Sequence, residues 1–400
     1  MRCEDMVANK EIKYYRLLFY LSLWGGIGIF FIRTTKIEAF GFDLAPFYGS
    51  IKLLHKGIHD IYSFSIQEEI MKEARQYGYA YSFRGIIAYH PFFLLLLTPF
   101  SCLFFPYFAL VWFFINILIL ADLLRRIYRM GGWVFLSFFS VYLFFFSQLP
   151  TILWYGQTTL LCFYLLFLYF FEEKTVIQAL ALSLGFFLKP HFFLLPLVLS
   201  AVRRKYLIVL LFLLFSGLFN LLPMLIWGPQ VVASYVKFLK TFSTTLYTHI
   251  SNQSLVAILW RIMAHQPAGE VIFRLIRIGK SFWYLVNLVR IILIVVMCGI
   301  LWKEIFLSPS LADFAFINLS LLLHNFCWPH YTLLHCFFIL FFLKNGLRPL
   351  WLMLPLVSAL PSFPVPLRGW AGAYILFLIM VESVIVSGLY ARKSIREAHQ

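Results

Sequence analysis

The sequence predicts an all-α polytopic membrane protein of about twelve transmembrane helices, and three observations carry that expectation. Hydrophobic residues make up 62% of the 400 and charged residues only 12%, where a soluble domain has about 45–50% and about 25%. Several apolar runs reach the ~20 residues that cross a bilayer. The charges between runs are mostly basic and fall at alternate turns, as the positive-inside bias requires. The net charge of +16 is therefore read as cytoplasmic Lys and Arg, and no nucleic-acid partner is implied. Mean hydropathy is +0.86.

Spans are expected at 14–32, 106–124, 132–149, 157–171, 176–188, 191–201, 206–227, 282–302, 310–328, 330–344, 349–363 and 370–390. The basic run "NKEIKYYR" leads into an apolar stretch too long for a signal peptide, so a retained first span is expected. Arg125, Arg126 and Arg129, the Arg203-Arg204-Lys205 run, Lys344 and Arg392 then share one side, and both termini are cytoplasmic. The whole chain, 1–400, reads as a single membrane domain with two long outer loops, 33–105 and 228–281.

The first loop carries two expected helices. In "SFSIQEEIMKEARQYGYAY", Ile66, Ile70, Ala74 and Tyr77 recur at spacings of three and four. This predicts an amphipathic helix on the membrane surface, with Glu68, Glu69 and Glu73 on its solvated face. The run 90–105 is short and contains Pro91 and Pro99, so it is expected to re-enter rather than cross.

A few polar residues stand out. Asp43 lies in "GFDLAPFYGSI", just beyond the first span, where either a turn or catalysis accounts for it. Lys189, followed by Pro190, interrupts a short apolar hairpin; a cation there is either snorkelling or facing an anionic ligand such as a lipid phosphate. Arg290 is a second such cation, nearer a span end. His324, His330 and His335 are spaced six and five apart across Trp328-Pro329, which does not suit a metal site. His330, with Tyr331 beside it, suits hydrogen bonding to a polar ligand. Asn252-Gln253-Ser254 is either an N-glycosylation acceptor, in a eukaryotic luminal loop, or a polar element of the second loop contributing to a substrate site. No nucleotide-binding loop, HExxH or CxxC occurs, and neither metal nor cofactor is expected.

Taken in order, "FDLAPFYGSIKLLHKGIHDIYSF", "AYHPFFLLLLTPFSCLFF", "YGQTTLLCFYLLF", "LGFFLKPHFFLLPLVL", "NQSLVAILWRI" and "CWPHYTLLHCFFIL" resemble glycosyltransferase family 87. These are the polyprenol-phosphate-mannose-dependent alpha-mannosyltransferases of the C-type membrane glycosyltransferase fold. Two departures are visible: the family's Tyr-Pro-Pro is Tyr89-His90-Pro91 here, and its Gly-Gln-x-Asn is Gly156-Gln157-Thr158-Thr159.

The resemblance implies a hexosyltransferase, with Asp43 as general base on the first outer loop. Lys189 would meet the donor phosphate, helped by His330 or Arg290. His90, Gln157, Asn252, Gln253 and Tyr331 would contribute to substrate binding. The partners implied are a polyprenyl-phosphate-linked sugar, a lipid or glycan acceptor and membrane lipids. The place implied is a bacterial inner membrane, with the site facing the periplasm. A lipid or sugar transporter or flippase is the other reading, since it too would have about twelve spans and a polar midplane; the long first loop argues against it.

Overall fold

A computed structural model of the chain describes residues 3–34, 39–80, 87–146, 149–242, 245–247, 254–263, 275–277 and 279–300, with a few positions between 333 and 343. The chain divides into two compact units. One comprises Met1–Ser140, Leu149–Phe193 and Tyr206–Ser243; the other comprises Val141–Gln148, Leu194–Lys205 and Thr244–Gln400.

The first unit is helical. Its elements are α1 (Cys3–Arg33), α2 (Ala45–His55), α3 (Gln67–Gln76), α4 (Pro91–Leu97), α5 (Phe105–Val141, the last residue falling in the second unit), α6 (Leu149–Tyr155), α7 (Thr159–Phe171) and α8 (Thr175–Leu188). After the first turn of α9 (Pro190–Val202), α10 (Tyr206–Trp227) and α11 (Pro229–Phe242) complete it. Helix α8 packs between α7 and α10, and α10 continues onto α4 and α11. Aromatic side chains fill this contact: Phe92 of α4 stacks on Phe219 of α10 with centroids 4.1 Å apart, and Phe187 of α8 closes the cluster.

In the second unit, α12 (Leu255–Met263) packs on α13 (Lys280–Ile300) through Val256, Ala257, Phe282 and Val286. Two short antiparallel strands, β1 (Thr245–Tyr247) and β2 (Leu275–Arg277), set Thr245 opposite Arg277. Helix α13 coincides with the span expected at 282–302.

By length and composition, three helical stretches among the described residues can cross a membrane: Ile12–Ile32, Phe105–Phe145 and Tyr206–Trp227. The pair α6 and α7 makes a fourth if its 117° bend is counted within one crossing. This is an all-α integral membrane architecture. The spans expected at 310–328, 349–363 and 370–390 lie outside the described residues, and of that at 330–344 only isolated positions are described.

Several expectations are refined. The run 90–105 does form a short helix, α4 extended by a 3-10 turn at Thr98–Phe100. At 1.5 Å per residue it is about 15 Å long, half a hydrocarbon core. The spans expected at 106–124 and 132–149 are two helical stretches within α5, parted where the backbone leaves helical geometry at Gly131 and Gly132, so the first runs on to Met130. The span expected at 157–171 is α7 alone, 13 residues and too short to cross unaided.

The amphipathic helix exists as α3, and its apolar face is turned to protein. It packs on α2, which covers Ile70, Met71 and Ala74. Glu73, expected in solvent, is only 3% exposed and forms an ion pair with Lys56 from the end of α2. Sequence periodicity identified the apolar stripe correctly and assigned it the wrong cover.

The aromatic cluster makes a direct prediction. Phe219→Ala removes the partner of Phe92 and leaves a cavity between α4, α8 and α10. Large-to-small changes at packed aromatics cost about 3–5 kcal/mol. The thermal unfolding midpoint of the detergent-purified protein should fall accordingly, while Phe114→Ala, at an exposed position of α5, should leave it nearly unchanged.

Candidate functional site

The site is built at the bend between α6 and α7. Helix α6 ends at Tyr155, and Gly156 follows with φ +73. That left-handed conformation reverses the chain at little cost only for glycine. Gly156 is also where the first loop comes closest: a Cβ there would lie 2.6 Å from the Leu44 side chain. The Gln157 N–H donates to Ile152 O at 2.9 Å and closes the end of α6. Gln157, Thr158 and Thr159 then run into the first turn of α7.

Asp43 is brought to this bend by a 3-10 turn, Phe42–Leu44. The turn is anchored on α6 by Gly41 N–H, which donates to Trp154 O at 2.9 Å, and by Phe40, whose ring lies 4.9 Å from that of Trp154. Asp43 is half-buried and accepts a hydrogen bond from the Gln157 side chain. Desolvation raises its pKa to about 6, against opposing pulls from the Gln157 hydrogen bond and from the nearby Lys189 cation. The other amide atom, Gln157 Oε1, is buried without a hydrogen-bond partner.

Each of the next two residues holds a group from a distant part of the chain. Thr158 Oγ1 is 3.0 Å from the Tyr89 hydroxyl. Tyr89 packs on Phe47 of α2 and Phe93 of α4, with centroids 4.6 and 5.7 Å away. Thr159 Oγ1 accepts from Lys189 Nζ at 3.3 Å. Lys189 sits where α8 ends and α9 begins, 6% exposed, with Phe192 under its ammonium at 5.8 Å. Three successive side chains thus gather a carboxylate, a phenol and an ammonium.

The remaining sequence candidates fall as follows. His90 is the N-cap of α4 and 3% exposed. Its Nδ1 accepts from Phe92 N–H at 3.1 Å, so the proton is on Nε2, which donates to Asn220 Oδ1 at 3.2 Å. Burial lowers its pKa to about 4, and it is neutral. Both ring nitrogens are engaged by the protein, next to Phe187 and Tyr235. Arg290 belongs to the other unit, on α13, where it donates to Asn287 and covers Trp283. Asn252, Gln253, His330 and Tyr331 lie outside the described residues; Ser254, next in that motif, caps α12 by accepting from Ala257 N–H at 3.2 Å. Asp60, a second acid of the first loop, is exposed and accepts from Ser234 of α11 at 2.6 Å.

Tyr89, Thr158 and Thr159 appeared in the sequence only within the two departures from the family pattern, with no role of their own. The two threonines stand where a helix start readily uses hydroxyls as caps, which hides their longer reach. No group of three or more His, Cys, Asp and Glu suited to a metal occurs among the described residues. What the site can do follows from its groups. A raised carboxylate can take a proton, and a buried ammonium can stabilise an anion.

Residues 88–327, more than half of the chain, match the family described as glycosyltransferase family 87. The matched stretch contains His90, Gln157, Lys189, Asn252 and Arg290 but begins after Asp43, whose place in the site rests on the geometry above. No curated protein and no solved structure matches the chain.

Gly156 carries the local prediction. Gly156→Ala combines a left-handed alanine, costing roughly 1–2 kcal/mol, with a contact that displaces Leu44. The unfolding midpoint should fall. Gly217→Ala, where an added carbon meets nothing within 4 Å, should not lower it. Equal midpoints for both variants would mean that the bend is not the anchor described.

Proposed function

The chain belongs to glycosyltransferase family 87 and is a membrane glycosyltransferase, and on that premise we propose that it moves a hexose, in the first instance mannose, from a polyprenyl-phosphate donor to a hydroxyl of a lipid or glycan acceptor. The observation that carries this reading is the pairing of Asp43 with Lys189 across the start of α7. The reaction needs a proton taken from one oxygen and negative charge accommodated on another, and these two groups supply one each.

In the proposed reaction, Asp43 removes the proton of the acceptor hydroxyl as that oxygen attacks the anomeric carbon. The bond from that carbon to the phosphate oxygen breaks, and polyprenyl phosphate leaves with its charge met by Lys189. A single attack inverts the anomeric configuration, so a beta-linked donor gives an alpha product. A pKa near 6 suits the base: it is ionised at neutral pH and holds a proton better than an ordinary carboxylate. A cation fixed in a water-poor site stabilises developing charge more than it would in solvent. We place the site on the outer face of a bacterial inner membrane, with Arg125, Arg126, Glu172 and Lys174 at the opposite, cytoplasmic end of α5 and α7, and both termini cytoplasmic.

Two experiments test this reading, both using purified protein, radiolabelled polyprenyl-phosphate-mannose and an envelope lipid extract. Asp43→Asn should lower turnover by roughly 100- to 10,000-fold and leave the unfolding midpoint near that of the wild type. The wild-type kcat/KM should rise with pH through about 6 and level off near neutrality, because the base works only when deprotonated and its pKa is displaced upward. His90, already neutral there, should add no second limb. An acidic limb at the ordinary carboxylate value near 4 would remove Asp43 from the role.

The cation is tested separately. Lys189→Met should raise the donor KM and lower kcat, while Lys189→Arg retains much of both, because arginine also offers a charge to phosphate. Equal activity in the three proteins would reduce Lys189 to a structural side chain.

A further inference from the structure

The reading above uses Lys189 but leaves unexplained what aims it. A lysine ammonium ends a four-carbon stem with several rotatable bonds, and this one emerges from the break between α8 and α9 rather than from α7. Thr159 is fully buried, is the first residue of α7, and accepts from Lys189 Nζ at 3.3 Å. Threonine is β-branched and stiff at χ1, so its hydroxyl is a fixed point where the lysine is not. The helix start itself does not use these hydroxyls: Thr158, the N-cap, makes no side-chain cap bond. Both threonines are instead turned toward remote groups, at the expense of the local bonds such residues usually make.

We propose that Thr159 is a positioning residue that holds the Lys189 ammonium at the start of α7, facing Asp43 on one side and the leaving phosphate on the other. The proposal rests on the donor chemistry described above and adds the residue that sets its geometry. Among the described residues, the groups that face the pair are these. Asp43 is faced by Gln157, Lys189 and the Tyr89 hydroxyl; Lys189 is faced by Asp43, Cys162, Thr159 and the Phe192 ring. Burial and the Gln157 hydrogen bond act on the carboxyl most, and Lys189, the cation among these groups, contributes to the field there: an opposite charge nearby lowers a carboxyl pKa. Losing the aim of the lysine therefore acts on two quantities at once: donor affinity and the acidity of Asp43.

The second quantity can be read without turnover. Infrared difference spectra of the purified protein, recorded across a pH titration, contain the band of the protonated Asp43 carboxyl, identified by its loss in Asp43→Asn. Thr159→Val, close to isosteric, should move the midpoint of that band upward by about 1 pH unit, and Thr159→Ser, which keeps the hydroxyl, should return it to the wild-type position. Lys189→Met should move it as far or further. In the Lys189→Met background Thr159→Val should add nothing, since contacting residues that act through one another are not additive. In the transfer assay Thr159→Val should raise the donor KM several-fold more than it lowers kcat.

An unmoved midpoint in Thr159→Val, or an undiminished effect in the Lys189→Met background, overturns the proposal. A shifted midpoint in a protein whose wild type transfers no sugar from polyprenyl phosphate would leave Thr159 in its role and remove the donor assigned above. The two failures are thus separable.

Discussion

The site depends on a turn that only one residue type makes easily. Gly156 reverses the chain between α6 and α7, and the three side chains that follow leave the bend in different directions. A helix advances about 100° per residue, so consecutive positions cannot serve a single face. Here that divergence is the useful property. Gln157 meets the first loop, Thr158 meets the segment before α4, and Thr159 meets the α8–α9 break. The polar groups of one small site thereby come from four regions of the chain without any of them being neighbours in sequence.

Helix α7 also separates two polar environments. At its far end Arg126 bonds Asp122 and Glu172, and Tyr164 donates to Asp122 at 2.6 Å. Thirteen residues at 1.5 Å each put about 20 Å between the ends. The charges at the far end are paired and partly solvated, and their fields fall off strongly where water reaches them. Those at the bend are few and desolvated, so each interaction there counts for more. The same chain uses ion pairs to settle one end of the helix and scarce buried charge to act at the other.

Sequence reading recovered the elements better than their surroundings. The apolar runs that became α8 and α10 were placed to within a residue or two, because a break such as Lys189-Pro190 is marked in the sequence itself. The short helix at 91–97 was legible from its two prolines and its length. The cover over α3 was not. Periodicity reports which face is apolar but says nothing about whether α2 or lipid lies against it, and Glu73 becomes buried through Lys56, a residue seventeen positions away. Asp43 was singled out as a turn or catalytic residue and Lys189 as a costly cation; the structure adds that both reach the same bend, where each acts on the charge of the other. Thr158 and Thr159 were marked only as a departure from the family pattern; their roles were not legible, since their partners lie 69 and 30 residues away.

The long sequence separations at the bend bear on how the protein is made. A polypeptide emerges from its N-terminus onward, at about 5–20 residues per second. Asp43 is thus synthesised more than a hundred residues before Gln157, and Lys189 a further thirty-two after that. Each closure is a distant pairing whose chain entropy is lost before the contact returns anything. The carboxylate therefore remains in solvated company, with the acidity of an ordinary aspartate, until α7 has come into place. Burial at the bend then weakens its acidity, and Lys189, arriving last with the α8–α9 break, pulls that acidity part of the way back. Assembly and chemical competence are in this sense a single late event, and a chain arrested before α8 would carry the carboxylate and yet lack the cation that faces the leaving phosphate.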